Sequence, residues 1–207
     1  MEQLGAQNIT LIGAGAVGSF TALSLIKMGI GSLEVYDHDT VSPHNLPNQW
    51  FRPEDIDKAK VDALATLLRT FGGVVTPHAE KFSRQRVKGI VVSAVDSMAV
   101  RRDVWRHIRK CRTVPFYVDA RMGGEFGMVL SVDLASVESI EFYEKHLYSD
   151  GEAAPVPCTA QSIIYCTAGL GAYVASTVGG YIRKDPPRPY IGIDFRNGIT
   201  LLRSPDA

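Results

Sequence analysis

The chain has 207 residues, 45% hydrophobic and 21% charged, with 22 basic residues balanced by 22 acidic ones. That length buries one solid core, and the charge balance supplies no global field to draw in nucleic acid or anionic lipid. Three cysteines, Cys111, Cys158 and Cys166, lack Cys-x-x-Cys spacing, which argues against a disulfide framework and a four-cysteine zinc site.

Met1 to Gln7 is polar, so no secretory leader is expected and a reducing cytoplasm is the anticipated compartment. Ile9 to Gly13 is an apolar run of strand length, and residues 14–28 follow in helical rhythm until Gly29 and Gly31 stop them. Ser32 to Tyr36 is a second strand. Residues 37–57 are loop-rich, punctuated by Pro43, Pro47 and Pro53. A helix is predicted over 59–70, a weak strand over 74–77, a strong strand over 89–95, a helix over 97–110 and a strand over 114–120.

Beyond Ala120 the alternation changes. An added strand is predicted over 127–133 and a long helix over 162–184. Two more strands, 190–195 and 199–203, flank the tight turn Arg196-Asn197-Gly198. Alternating strands and helices specify a Rossmann-like, mostly parallel sheet wrapped by helices, here with antiparallel strands added at the C-terminal end. One domain over residues 1–207 is expected, with 149–157 as its most flexible segment. Residues 163–182 are uncharged and long enough to cross a bilayer, but four glycines and several hydroxyls dilute them. A buried helix or subunit interface is expected there, with no membrane association. The cluster Arg101, Arg102, Arg106, Arg109, Lys110 and Arg112 reads as a solvated helix face and helix end.

Gly13, Gly15 and Gly18 form G-x-G-x-x-G between a predicted strand and helix, the context in which that pattern is informative. The first glycine permits a sharp turn, the second admits phosphate to the backbone, and the third lets helix and strand pack closely. Phosphate then sits at the positive end of the helix. Asp37 ends the second strand about 20 residues on, where a carboxylate binds ribose hydroxyls. These features fit both NAD and ATP.

The further run Asp37-His38-Asp39-Thr40-Val41, Asn45-Leu46-Pro47-Asn48-Gln49, Lys60-Val61 and Val95-Asp96-Ser97 closely resembles the ThiF/MoeB/HesA family. These are ubiquitin-activating-enzyme-like adenylyltransferases. The resemblance covers Ile9 to about Arg121 and continues more loosely to about Arg183. It implies ATP and Mg²⁺ as cofactors, and adenylation of the C-terminal glycine carboxylate of a small ubiquitin-fold or sulfur-carrier protein. It makes Gly13, Gly15, Gly18, Asp37, Asp39, Asn45 and Gln49 nucleotide-binding residues. Lys60 becomes the phosphate-contacting lysine and Asp96 the Mg²⁺ ligand, and Arg101 matches an arginine of the downstream helix to which no role is assigned. Cys158 falls where many members carry a cysteine that accepts activated cargo, and a homodimer is implied.

Asn48 stands where the family usually has a phosphate-contacting arginine, and Arg52, four residues on, is the candidate substitute. The N-terminal arginine that reaches a partner's site and the zinc-binding cysteine pairs are also missing from the pattern. Asp119 and Arg121, at the end of a main strand, read equally as site residues or as a structural ion pair. His38 and His44 read as loop histidines, Cys111 and Cys166 as structural. Two rival functions stay open: a non-catalytic nucleotide-binding partner or scaffold subunit of an activating-enzyme complex, and an NAD-dependent oxidoreductase.

Overall fold

The computed structural model describes residues 2–147 and 163–204. The first five strands are β1 (Asn8–Ile12), β2 (Ser32–Tyr36), β3 (Val75–His78), β4 (Ile90–Ser93) and β5 (Phe116–Gly123). They pair in parallel. Then β6 (Phe126–Asp133), β7 (Tyr190–Asp194) and β8 (Ile199–Arg203) extend the sheet in antiparallel fashion. Across the sheet the order is β3-β2-β1-β4-β5-β6-β7-β8. The connection reverses direction between β1 and β4, so the expected ligand crevice lies beyond the carboxyl ends of these strands.

Side chains alternate between two cores because successive strand residues face opposite ways. Ile90, Val92, Phe116 and Val118 join Leu25 of α2 (Ala16–Met28), Leu64 of α3 (Lys60–Arg69) and Val174 of α6 (Ile164–Arg183) on one face. Val91 and Tyr117 join Trp105 and Ile108 of α4 (Met98–Ile108) and Tyr143 of α5 (Val137–Glu144) on the other. β3 carries Pro77 and sits at the sheet edge, where a missing N–H costs no ladder bond. The β7–β8 hairpin forms at the predicted turn, where the Asp194 carboxylate accepts from Asn197 N (3.0 Å) and Nδ2 (2.8 Å).

The uncharged stretch near the C-terminal end is α6, buried along α2. A Cβ at Gly171 would stand 2.8 Å from Thr21 N, so the small residue permits the helices' close approach. Among the described residues no helix is long and apolar enough to cross a membrane. Two helices were not expected from the sequence. The single turn α1 (Glu2–Gly5) precedes β1. Ser136 starts α5, its Oγ accepting from Ser139 N at 3.1 Å, a capping signal present in the sequence.

Candidate functional site

The turn after β1 has the conformation its glycines allow. Gly13 adopts φ +97° and donates to the Tyr36 carbonyl at 2.8 Å, while a Cβ there would meet Ala94 O at 2.7 Å. A Cβ at Gly18 would stand 1.9 Å from Gly13 O, so α2 packs directly on the turn. At Gly15, by contrast, a Cβ would meet nothing within 4 Å. No side chain caps α2, which leaves its positive end turned toward the cleft.

Asp37 is fixed by backbone on both sides. One carboxylate oxygen accepts from Ala14 N at 2.7 Å, the other from Asp39 N at 2.9 Å. The segment after Asp37 is in turn stitched to the start of α3. Thr40 bridges Ala59, Lys60 N donates to Asp39 O (2.9 Å) and Val41 N donates to Lys58 O (2.9 Å). This stitching buries Lys60 to 6% exposure and sets its Nζ 2.9 Å from Asp39 Oδ2. The Lys60 hydrogen bond holds the Asp39 carboxyl below the usual carboxylate range, against its partial burial.

A cleft of about 1330 Å³ opens over this wall. It exceeds the ~300–1,000 Å³ typical of a pocket for one small ligand. Gly13, Gly15, Asp37, Asp39, Asn48, Gln49, Lys60 and Asp96 all line it. Asn48 Oδ1 and Gln49 Oε1 are buried without a hydrogen-bond partner among the described residues, as befits acceptors reserved for a ligand. Asp96 is exposed in the turn after β4. Ser97, not Asp96, caps α4, accepting from Val100 N at 3.4 Å. One carboxylate suffices for Mg²⁺ when phosphate oxygens and waters complete the shell, so Asp96 fits that role. Among the described residues, Asp37, His38 and Asp39 could also converge on a cation.

Gly18, Asn45 and Arg52, all expected in the site, do not line the cleft; Gly18 serves the packing of α2 on the turn. Asn45 is buried inside the 3-10 turn Pro43–Asn45, where its Oδ1 accepts from Ser42 N (2.9 Å) and Ser42 Oγ (2.8 Å). Its task is to shape the loop that presents Asn48 and Gln49. Arg52 pairs instead with Asp55 (Nε to Oδ2 and Nη2 to Oδ1, both 3.1 Å) and with Glu54 (3.1 Å), and does not line the cleft. The expectation that Arg52 replaces a phosphate-binding arginine is therefore not carried further. Burial alone would raise the Asp55 carboxyl, but the bonds from Arg52 and from Lys58 (3.1 Å) prevail and hold it low. Cys158 lies outside the described residues. Burial pushes the thiols of Cys111 and Cys166 up, in keeping with structural roles.

The opposite wall is built by β4, β5 and α4, and here the sequence misled. Arg101, expected on a solvated face, is 3% exposed and lines the cleft. It binds the fully buried Asp119 carboxylate and the carbonyls of Val95 and Ala120. Arg121 donates to the same carboxylate through Nε (2.8 Å) and to His146 O through Nη1 (2.6 Å). Tyr143 OH donates to Asp119 Oδ2 at 3.0 Å. Burial would lower the Arg121 pKa, but the Asp119 charge raises it; burial and the same anion push the Tyr143 phenol up. Further round, Tyr36 and Phe82 meet edge to face at 5.3 Å, and exposed Lys81, Arg84, Arg106 and Lys110 form a rim.

Fold and cleft together define a Rossmann-type α/β protein with a glycine turn, a strand-end acid and a lysine facing one crevice. The ThiF family model matches residues 1–182, and the chain belongs to the ThiF family. Ubiquitin-like modifier-activating enzyme 5 of Oryza sativa subsp. japonica is 35% identical over 88 residues, 42% of this chain and 21% of that protein. The Bombyx mori enzyme of the same name is 35% identical over 82 residues, 40% of this chain and 21% of that protein. The match thus spans about a fifth of these curated relatives. Among solved structures, E. coli MccB with MccA has a TM-score of 0.79 at 17% identity, covering 98% of this chain and 65% of that one. PaaA has a TM-score of 0.78 at 18% identity, with the same coverage of 98% and 65%. At these identities the two structures support the fold.

Proposed function

We propose that this chain is an ATP- and Mg²⁺-dependent adenylyltransferase. Its substrate would be the C-terminal carboxylate of a small ubiquitin-like or sulfur-carrier protein, or of a peptide. The observation behind this reading is that Lys60, Asp96 and the glycine turn of a ThiF-family chain line a single cleft. That MccB has been solved with ATP and with MccA, and that the sequence relatives are named activating enzymes, supports the same reading.

The reaction needs no protein nucleophile. A carboxylate oxygen attacks the α-phosphorus, the bond to the bridging oxygen breaks, and pyrophosphate leaves with the electron pair. The chain's task is positioning and charge neutralisation. The first turn of α2 would hold phosphate, and Asp37, fixed by two backbone N–H groups, would accept from ribose hydroxyls. Gln49 and Asn48 would orient the bound chain through their unpaired oxygens. Lys60 would turn its ammonium from Asp39 toward phosphate. Asp96 would hold Mg²⁺, which neutralises phosphate charge when bound. Homodimerisation and action in the cytoplasm belong to the same proposal, and sedimentation at micromolar concentration tests the dimer.

Exchange of labelled pyrophosphate into ATP, dependent on a carrier ending in glycine, is the direct test. Exchange that requires both carrier and Mg²⁺ is the expected result. Tight ATP binding without exchange on any glycine-ended carrier would instead point to a non-catalytic partner subunit.

A further inference from the structure

The charge of this neutral chain is unevenly laid out. Ten of its 22 basic residues but two of its 22 acidic ones fall between Lys81 and Arg112, so the remainder carries an acidic excess. Two facing pieces of this segment line the cleft. One is α4 with the turn after it, which presents Val100, Asp103, Arg106 and Lys110 at helical spacing. The other is the irregular stretch 80–86 after β3, which carries Lys81 and Arg84. That stretch has no strand ladder and is tied by its own side chains. Gln85 Oε1 accepts from Ser83 N at 2.7 Å, and Gln85 Nε2 donates to Lys81 O at 3.1 Å and to Glu80 Oε1 at 3.3 Å. His107 Nε2 lies 2.9 Å from Gln85 O, and the Phe82 ring meets those of Tyr36 at 5.3 Å and His107 at 5.8 Å. The loop is thereby docked on α4, and cations stand along both sides of one groove.

Few acids answer these cations. Asp103 is taken by Arg106 at 2.7 Å, and Arg84 and Lys110 pair with no acid among the described residues. Like charges gathered in this way repel one another, and an anionic ligand relieves that repulsion. The shape of the groove sets what fits. From Val100 to Lys110 the wall runs about 15 Å at about 1.5 Å per residue, the length of about five residues of extended chain. A single small anion does not span it. Exposed Val100 and half-buried Phe82 lie among the cations, as suits a ligand with apolar as well as acidic side chains. A long polyanion such as nucleic acid would run on to the acidic remainder of the chain and be repelled. We propose that the groove between α4 and residues 80–86 docks a short, extended acidic segment of a partner protein. This surface lies beside the wall of Gly15 and Lys60, and it does not depend on turnover of ATP there.

Fluorescence anisotropy of a labelled, end-capped hexaglutamate titrated with the chain tests this. The peptide should bind, and binding should weaken as salt rises. Arg84→Glu with Lys110→Glu should weaken it by roughly tenfold, and each change alone by roughly threefold. Lys184→Glu reverses an exposed charge at the end of α6, on the other face of the sheet, and should change it by less than about twofold. ATP with Mg²⁺ should not displace the peptide, and the double variant should keep ATP affinity within about threefold of wild type. No binding of hexaglutamate, an equal loss in Lys184→Glu, or displacement by ATP would overturn the proposal. Tighter binding of a single-stranded oligonucleotide, lost in the same variants, would assign the groove to nucleic acid and overturn it as well. If the double variant does not fold, the single variants decide, unchanged affinity in both counting against the groove. A chain that binds hexaglutamate but not ATP would leave this surface standing and sink the adenylyltransferase reading.

Discussion

The two walls of the cleft are built in different ways. On the β1–β2 side every group is fixed by neighbours close in sequence or by backbone. Asp37 takes two N–H bonds, Gly13 bonds across to Tyr36, and Lys60 is set by the short bridge between Thr40 and Ala59. On the β4–β5 side the geometry comes from buried charges of α4 and β5 and a phenol of α5, meeting at one carboxylate. The first wall is organised by local conformation and stays polar and open. The second is rigid because an unpaired charge inside it would be costly. The cleft thus has one wall set by backbone geometry and one set by buried ion pairs.

This contrast can be broken most strongly at Asp119. Replacing it with Ala leaves two buried arginines facing each other, and chemical denaturation should show a loss of about 3–5 kcal/mol. A loss below about 1 kcal/mol, the range of an exposed ion pair, would mean that the ion network does not hold the second wall.

Asp55 sharpens the comparison, because it is a buried carboxylate that serves the loop and not the cleft. Asp55→Asn should cost about 1–3 kcal/mol at neutral pH. The Asp55 carboxyl is held below its unfolded value by Arg52 and Lys58. Its contribution is therefore fully present above about pH 4, the unfolded carboxylate range, and is lost as pH falls through the folded value. Denaturation curves of wild type and Asp55→Asn should converge in acid. A gap that persists at low pH would show that shape, not charge, is responsible.

Lys60→Ala should separate binding from stability. Its partner Asp39 has a side chain 52% exposed, so the ion pair contributes little to folding. ATP affinity should fall by roughly tenfold while stability changes by less than about 1 kcal/mol. The smallest effect is expected at Arg52. With its guanidinium committed to Asp55 and Glu54, Arg52→Ala should leave ATP affinity within about twofold of wild type. A large loss there would return Arg52 to the cleft.

The same division explains what could be read from the sequence. The glycine turn and Asp37 are legible because each occupies a fixed offset from a strand end, and strand ends follow from hydrophobic periodicity; Lys60 and Asp96 are legible only through the family resemblance. Asn45 fits the family motif and Arg52 was the candidate substitute four residues beyond Asn48, yet Asn45 turns inward to Ser42 and Arg52 is held by Asp55, choices that spacing does not reveal. Arg101 was misread because its neighbours Arg102, Arg106, Arg109 and Lys110 suggest a solvated face. Only the helical rotation that places it with Met98 and Trp105, combined with an acid on β5, turns it into the core. Asp119 and Arg121 were noticed at a strand end, but their partner Tyr143 lies on a helix whose cap, Ser136, was passed over.

The most direct measurement is calorimetric titration of ATP into the wild-type chain and Asp96→Asn, with and without Mg²⁺. Mg²⁺ should tighten ATP binding to the wild type by roughly tenfold or more, and that gain should vanish in the variant. Failure of the wild type to bind ATP, or the same Mg²⁺ gain in Asp96→Asn, would contradict the placement of the nucleotide between these two walls.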